Sequence, residues 1–326
     1  MDTDVLKMDR FDEIIINLLM KDSRISLKDL SKRLERNKSF IQYRLNNLLS
    51  KGIIEKIYPL VDLSKLDYLP FECYLKTQMS QEEEQDIINY LRKHKEIFFI
   101  ERVIGNYSIR FLFFQKTLEE SVRFIQSIRK SLISKVRKLD LKIITSIIRS
   151  NNSEEGSKSR FELFNSREDI LLSKKEIEIL REINKDPRSS IFNLSEKLGI
   201  SRKFTKKTLS MFDKKEIITG FTADLNYAKL GFITRMFLIN IRLLNAEDFN
   251  EFRNHLAESP YVQTITTYYP NQQISVEIAA KKLLDIRNFQ IGLLNKYSNI
   301  IEKLDILEYY DEPKYSYLED FLQELA

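Results

Sequence analysis

The stretch SRKFTKKTLSMFDKK, residues 201–215, sets six basic side chains against one acid, a net +5. At about 100° per residue, Phe204, Thr205, Thr208, Leu209, Met211 and Phe212 share one arc, and Arg202, Lys203, Lys206, Lys207, Ser210 and Lys214 share the opposite one. The spacing predicts an amphipathic helix that Ser201 can cap. Solvated helices usually intersperse Glu or Asp one turn from Lys. A field of one sign along one helix face instead suits a polyanion. Other chemistry is poorly served. No Ser/His/Asp set, paired-carboxylate motif, Gly-rich phosphate loop or metal-ligand spacing occurs, so no catalytic residue, metal or cofactor is expected. Cys73, the only cysteine, alternates with Phe71 and Leu75 and reads as a buried strand thiol. His94 and His255, the two histidines, read as surface helix residues.

The elements that must position the basic arc occur twice. A shift of 164 aligns the two halves without gaps over about sixty residues. KDSRISLKDLSKRLERNKSFIQYRLNNLLSKGIIEKI (21–57) falls on KDPRSSIFNLSEKLGISRKFTKKTLSMFDKKEIITGF (185–221). In copy one the apolar spacing predicts helices over 9–20, 27–35 and 38–50, with Ser26 and Asn37 as caps. Gly199 suits a left-handed turn between two steeply crossing helices in copy two. Gly52 ends the third helix of copy one, and residues 53–61 and 217–225 have strand character. Helix, helix-turn-helix and β extension make a winged helix-turn-helix. Each is followed by alternating strands and helices in the order βαββαβ, a ferredoxin-like module whose antiparallel sheet leaves one face for a ligand or a second sheet. The fold class is α+β in two tandem units. The divisions are 1–66 and 171–230 for the winged helices, 67–150 and 231–310 for the α/β modules, 151–170 for a polar linker, and 311–326 for a tail. In the tail Pro313 reads as a break, before Tyr317, Leu318, Phe321, Leu322 and Leu325 in amphipathic spacing.

This arrangement resembles the Lrp/AsnC family of feast/famine regulators, over nearly the whole chain and twice. The matching residues in copy one are Asp22, Arg24, Leu30, Leu34, Ile41, Arg44, Leu45, Leu48 and Gly52-Ile53-Ile54. In copy two they are Asp186, Arg188, Leu194, Leu198-Gly199-Ile200-Ser201, Leu209 and Ile217-Ile218. The resemblance implies a transcription regulator that binds double-stranded DNA, pairs its α/β modules, assembles into homo-oligomers and senses an amino acid. The helix that enters the major groove is then 201–215 in copy two, with Arg202, Lys203, Lys206, Lys207 and Ser210 toward DNA. In copy one it presents Lys38, Ser39, Gln42, Tyr43 and Asn46, a nearly neutral arc whose amides can pair with adenine. Copy one is expected to read bases and copy two to grip phosphates.

The chain departs from the family in three ways. Two units sit in one chain, like a fused dimer. The family's Gly-x-Tyr-Asp-like turn reads Gly105-Asn106-Tyr107-Ser108 in copy one, without the acid. In copy two Asn271-Gln272-Gln273 follow Tyr269-Pro270, without the glycine either. A ligand there would lack the carboxylate that pairs with an ammonium. Siroheme decarboxylases also resemble the family, so a tetrapyrrole enzyme is the alternative. With 53 basic and 48 acidic residues, any nucleic-acid role must rest on local clustering. One cysteine, no signal-peptide core and no membrane-length apolar run point to a cytoplasmic protein with no membrane partner.

Overall fold

Most helices in this chain begin where a side chain satisfies backbone N–H groups that have no acceptor in the first turn. The computed structural model describes residues 5–77, 80–151, 159–269, 272–316 and 318–325. In copy one Asp9, Ser26 and Asn37 cap α1 (Arg10–Lys21), α2 (Leu27–Leu34) and α3 (Lys38–Ser50). Gly52, at φ +62°, turns the chain into β1 (Ile54–Val61). The first α/β module follows as β2 (Leu69–Thr77), α4 (Gln81–Leu91), β3 (Ile97–Ile104), β4 (Ile109–Gln115), α5 (Leu118–Leu132) and β5 (Val136–Asn151). Capping boxes open both of its helices, Ser80 with Glu83 and Thr117 with Glu120.

A strand, β6 (Ser159–Leu163), then precedes copy two. Its winged helix comprises α6 (Lys174–Lys185), α7 (Ile191–Leu198), α8 (Arg202–Lys214) and β7 (Ile218–Leu225). Ser190 and Ser201 cap α7 and α8, and Gly199 takes the left-handed turn between them at φ +62°. The second module is β8 (Ile233–Ile241), α9 (Ala246–Glu258), β9 (Val262–Tyr269), β10 (Gln273–Ala280), α10 (Leu283–Lys296) and β11 (Ile301–Tyr315). A last helix, α11 (Glu319–Glu324), follows.

The two modules share one sheet system. Antiparallel pairings run β2–β4–β3–β11–β8–β10–β9–β5 and return from β5 to β2, an eight-stranded closed ring with β6 added beside β5. Alternation decides which way each strand faces. Phe71, Phe111 and Phe113 pack outward on Ile87 and Leu91 of α4 and Ile125 and Ile128 of α5. Phe237, Ile239, Val276 and Ile278 do the same against α9 and α10. Cys73 is fully buried in the first of these cores. The sheet face that the sequence left open is covered by the other copy's sheet.

The winged helices interlock as well. β1 pairs with β7 in a two-stranded ribbon centred on Tyr58↔Thr222, positions equivalent under the 164-residue shift. Ala223 and Leu225 of copy two complete the core of α1, α2 and α3, while Val61, Leu63 and Leu66 of copy one complete the core of α6, α7 and α8. Across the same pseudo-dyad, Arg24 donates to the Ser189 carbonyl at 3.1 Å. Arg188 returns the contact to the Ser23 and Ile25 carbonyls at 3.0 and 2.8 Å.

Two expectations need correction. The segment read as a linker carries β6, held by its ladder to β5 and by copy one: Phe164 N donates to Asp62 at 2.8 Å, and Ser64 to the Ser166 carbonyl at 2.9 Å. Phe161 lies so close to Gly220 that any Cβ there would collide with its ring. Residues 152–158 of that stretch lie outside the described residues. Pro313 does not break the tail. It lies inside β11, where the register against β3 shifts between Asp311 and Lys314, so its missing N–H disrupts no regular ladder bond. The tail then docks through Phe321 and Leu322 into the core of the second winged helix, with Arg181 donating to the Leu322 and Gln323 carbonyls at 2.6 Å each. Tyr317 lies outside the described residues. No helix among the described residues is long and apolar enough to cross a membrane.

Candidate nucleic-acid interface

In copy two, Thr205, Thr208 and Phe212 of α8 are buried against the other two helices. Arg202, Lys203, Lys206, Lys207 and Ser210 all lie on the exposed face. None of the three lysines forms an ion pair among the described residues. Arg202 is steadied by its guanidinium, which lies 4.4 Å from the centre of the Phe192 ring on α7. The field on this face is therefore uncompensated and held on a rigid helix. In copy one Ile41, Leu45 and Leu48 are buried, leaving Lys38, Ser39, Gln42, Tyr43 and Asn46 exposed. Gln42 donates to Asn46 at 2.8 Å, so these amides engage each other across one turn. Arg44, on the flank of α3, ties it to α1 through Asp9 at 2.6 Å and Asp12 at 3.3 Å. It is a positioning residue for α3.

The turns expected to hold a ligand meet different surroundings. Gly105 and Asn106 are exposed at the tip between β3 and β4, and Lys76 donates to the Gly105 carbonyl at 2.7 Å. Ser108 accepts from the Thr77 backbone N–H at 3.2 Å, a bond within its own sheet. Tyr107 is buried and donates to Asp140 on β5. Burial, then Asp140, pushes the Tyr107 phenol up to about 12. Burial opposes ionisation of Asp140, but Lys138 and Tyr107 hold its carboxyl below the usual range. A carboxylate absent from the turn is thus supplied by a neighbouring strand, where local sequence gives no sign of it. In copy two Gln272 is spent on the Leu244 backbone, at 2.7 and 3.0 Å. Gln273 bonds Asn240 and accepts from Lys142. Lys142 lies 4.5 Å from the ring centre of Tyr74, which packs on Tyr107 at 5.0 Å, so Tyr107 and Gln273 border one end of the ring of strands. Desolvation lowers Lys142 to about 8, against the pull of Glu72 and Asp140. Asn271 lies outside the described residues.

Sequence reasoning missed the interior of the ring. Arg110 sits among three carboxylates, bonding Glu72, Glu101 at 3.2 Å and Glu277 at 3.0 Å. Tyr268 bonds Glu72 and, at 2.8 Å, Ser275. Burial raises Glu101 to about 7, against the pull of Arg110 and with help from Glu277. This network borders a cavity of about 650 Å³ between the β1–β7 ribbon and strands β3, β4 and β11. Neither histidine lines it. His94, expected on the surface of a helix, lies beyond the end of α4 and is half-buried between Tyr90 and Phe124, 5.0 and 5.3 Å ring to ring. His255 is exposed beside Lys296. Among the described residues no cluster of His, Cys, Asp and Glu could hold a metal ion.

Residues 8–55 and 172–219 each match the family model described as winged helix-turn-helix DNA-binding. Over 126 residues the chain is 32% identical to the transcriptional regulator AzlB of Bacillus subtilis, covering 38% of this chain and 80% of that protein. It is 30% identical over 100 residues to the HTH-type transcriptional regulator LrpC of the same organism, covering 31% of this chain and 69% of the relative. A solved structure of the siroheme decarboxylase NirDL superposes on 97% of this chain and 98% of its own with a TM-score of 0.62, at 13% identity. That likeness is one of fold.

Proposed function

From the Lrp/AsnC family of winged helix-turn-helix transcriptional regulators, to which this chain belongs, we propose a division of labour between its two recognition helices. The chain is a DNA-binding regulator with two non-identical recognition helices. α8 grips the phosphate backbone through Lys203, Lys206, Lys207 and Arg202, with Ser210 beside them. α3 reads base edges through Gln42 and Asn46, flanked by Lys38, Ser39 and Tyr43. The observation that carries this reading is the exposed, unpaired, one-signed arc of α8 opposite a neutral amide arc on α3. Because the two helices differ, the preferred site of a single chain is asymmetric, unless two chains pair like unit with like. In-vitro selection of bound duplexes tests this; a strictly palindromic consensus bound by one chain would refute it.

Further assembly into symmetric homo-oligomers follows the family pattern, and light scattering that shows a monomer at micromolar concentration would refute it. Any amino-acid effector would sit near Gly105–Ser108 and Gln272–Gln273, with the ammonium poorly served, since Asp140 is already engaged by Lys138 and Tyr107. Tight binding of a free amino acid, lost in Ser108→Ala, would contradict that. We read the chain as non-catalytic. A uroporphyrin-type tetrapyrrole brings many carboxylates, whereas among the described residues the cavity is bordered by Glu55, Glu101, Asp224, Glu277, Asp311 and Glu312 and by two cations, Arg110 and Arg149. A porphyrin absorbance in the purified protein would overturn this reading.

A further inference from the structure

The cavity has a chemistry of its own. Its volume of about 650 Å³ is that of a small-molecule site. Among the described residues six carboxylates and two arginines line it, and one of the six, Asp311, is paired with Arg102 outside the lining. Of the two arginines, Arg110 is already shared among Glu72, Glu101 and Glu277. Arg149 lies 5.6 Å from the ring centre of Tyr58. Four of the carboxylates fall in two pairs: Glu55 and Asp224 on the paired ribbon strands β1 and β7, and Glu101 and Glu277, which share Arg110, on β3 and β10. Glu312 on β11 feels both groups. Desolvation, then Asp224, Glu101, Glu55 and Glu277, push it up to about 8. Tyr58, Tyr227, Tyr309 and Tyr315 supply aromatic walls between them. Ser150, also in the lining and 3% exposed, has a hydroxyl with no hydrogen-bond partner among the described residues.

We propose that this cavity binds a linear organic dication, an aliphatic chain with an ammonium or guanidinium group at each end, one end at Glu55 and Asp224 and the other at Glu101 and Glu277. Aromatic faces attract cations and accept methylene groups, and carboxylates donated to by N–H groups make the stronger class of hydrogen bond. Desolvation contributes most to the raised Glu312 carboxyl, and a dication offsets the remaining part that comes from the surrounding carboxylates, so binding favours release of a proton near neutral pH. The proposal stands apart from the DNA reading, because it is read on the protein alone.

The test is titration calorimetry of the full chain with 1,5-diaminopentane and with 1,4-diaminobutane. The controls are a diol of matched length, a dicarboxylate and iron-uroporphyrin. The expected result is binding of the amines only, tighter at about pH 9 than at about pH 6, with a heat that depends on buffer ionisation. Glu312→Gln is expected to reduce the buffer dependence to the part that Glu101, raised to about 7, contributes, and Glu55→Gln to weaken binding about tenfold, the worth of one charge-assisted hydrogen bond. The variant Glu247→Gln, on α9 and outside the lining, is expected to bind as the parent does. Failure of both amines to bind would overturn the proposal. So would amine binding that neither variant alters, which would put the amine on another acidic surface, or preferential binding of the dicarboxylate or the tetrapyrrole.

Discussion

Replacing Lys203, Lys206 and Lys207 together by Ala removes three exposed positive charges from α8 without disturbing its buried face of Thr205, Thr208 and Phe212. Ala is the strongest helix former, so the helix persists. Every phosphate that a lysine no longer neutralises reduces the slope of log affinity against log salt by about 0.9, so three reduce it by about 2.7. Between about 50 and about 200 mM salt the parent then loses about 40-fold more affinity than the variant, about 2 kcal/mol. The deficit is largest at low salt and shrinks as salt rises. Fluorescence anisotropy on a selected site and on a random duplex, at four or five salt concentrations, measures both slopes. The same change of slope is expected on both DNAs. An unchanged slope would mean that these lysines meet no phosphates, and a loss confined to one sequence would mean that they read bases.

Four further outcomes are expected. Gln42→Ala or Asn46→Ala should cost about 1–3 kcal/mol on the preferred site and little on random DNA, measured by competition. Arg188→Ala, which frees the Ser23 and Ile25 carbonyls, should lower stability by about 2 kcal/mol in urea unfolding, and Arg24→Ala, with one carbonyl, by less. Arg110→Met strands Glu72 and Glu101 in the ring interior and should cost about 3–5 kcal/mol in the same assay. The Glu312 carboxyl is raised in the folded state to about 8, so the folded protein holds a proton there that the unfolded chain has released. Its effect is therefore a loss of stability as pH rises from the ordinary carboxyl range through about 8, and Glu312→Gln should flatten that fall in urea midpoints taken at about pH 5 and about pH 9.

Local signals carried much of this architecture. Ser26, Asn37 and Ser201 announced helix starts because capping is a bond between neighbours in sequence. Alternating Phe111 and Phe113, or Ile274, Val276 and Ile278, announced strands that bury one face. What stayed hidden is what depends on a partner far along the chain. Nothing in β1 says that it pairs with β7 and not with a strand of its own unit. β6 offers only Phe161 and Leu163 as an alternating pair, too little to stand out beside a polar tract. Glu72, Glu101 and Arg110 occupy the polar positions of alternating strands, which read as solvent-facing until the second sheet encloses them. The exposed arcs of α3 and α8 were legible because a helix's two faces follow from spacing alone. The carboxylate reached by Tyr107 was not, since Asp140 lies 33 positions away.

The β1–β7 ribbon also sets how the protein responds to its own abundance. Where two separate chains must meet before either can hold DNA well, dilution empties the pair and occupancy climbs steeply with gene dosage. Here the meeting is intramolecular, and the two recognition helices stay joined at any copy number. Promoter occupancy by a single chain therefore scales in proportion to expression, without a threshold. A proteolytic cut between the copies would make the meeting bimolecular again and restore a concentration dependence, set by the strand that each winged-helix core borrows from the other copy.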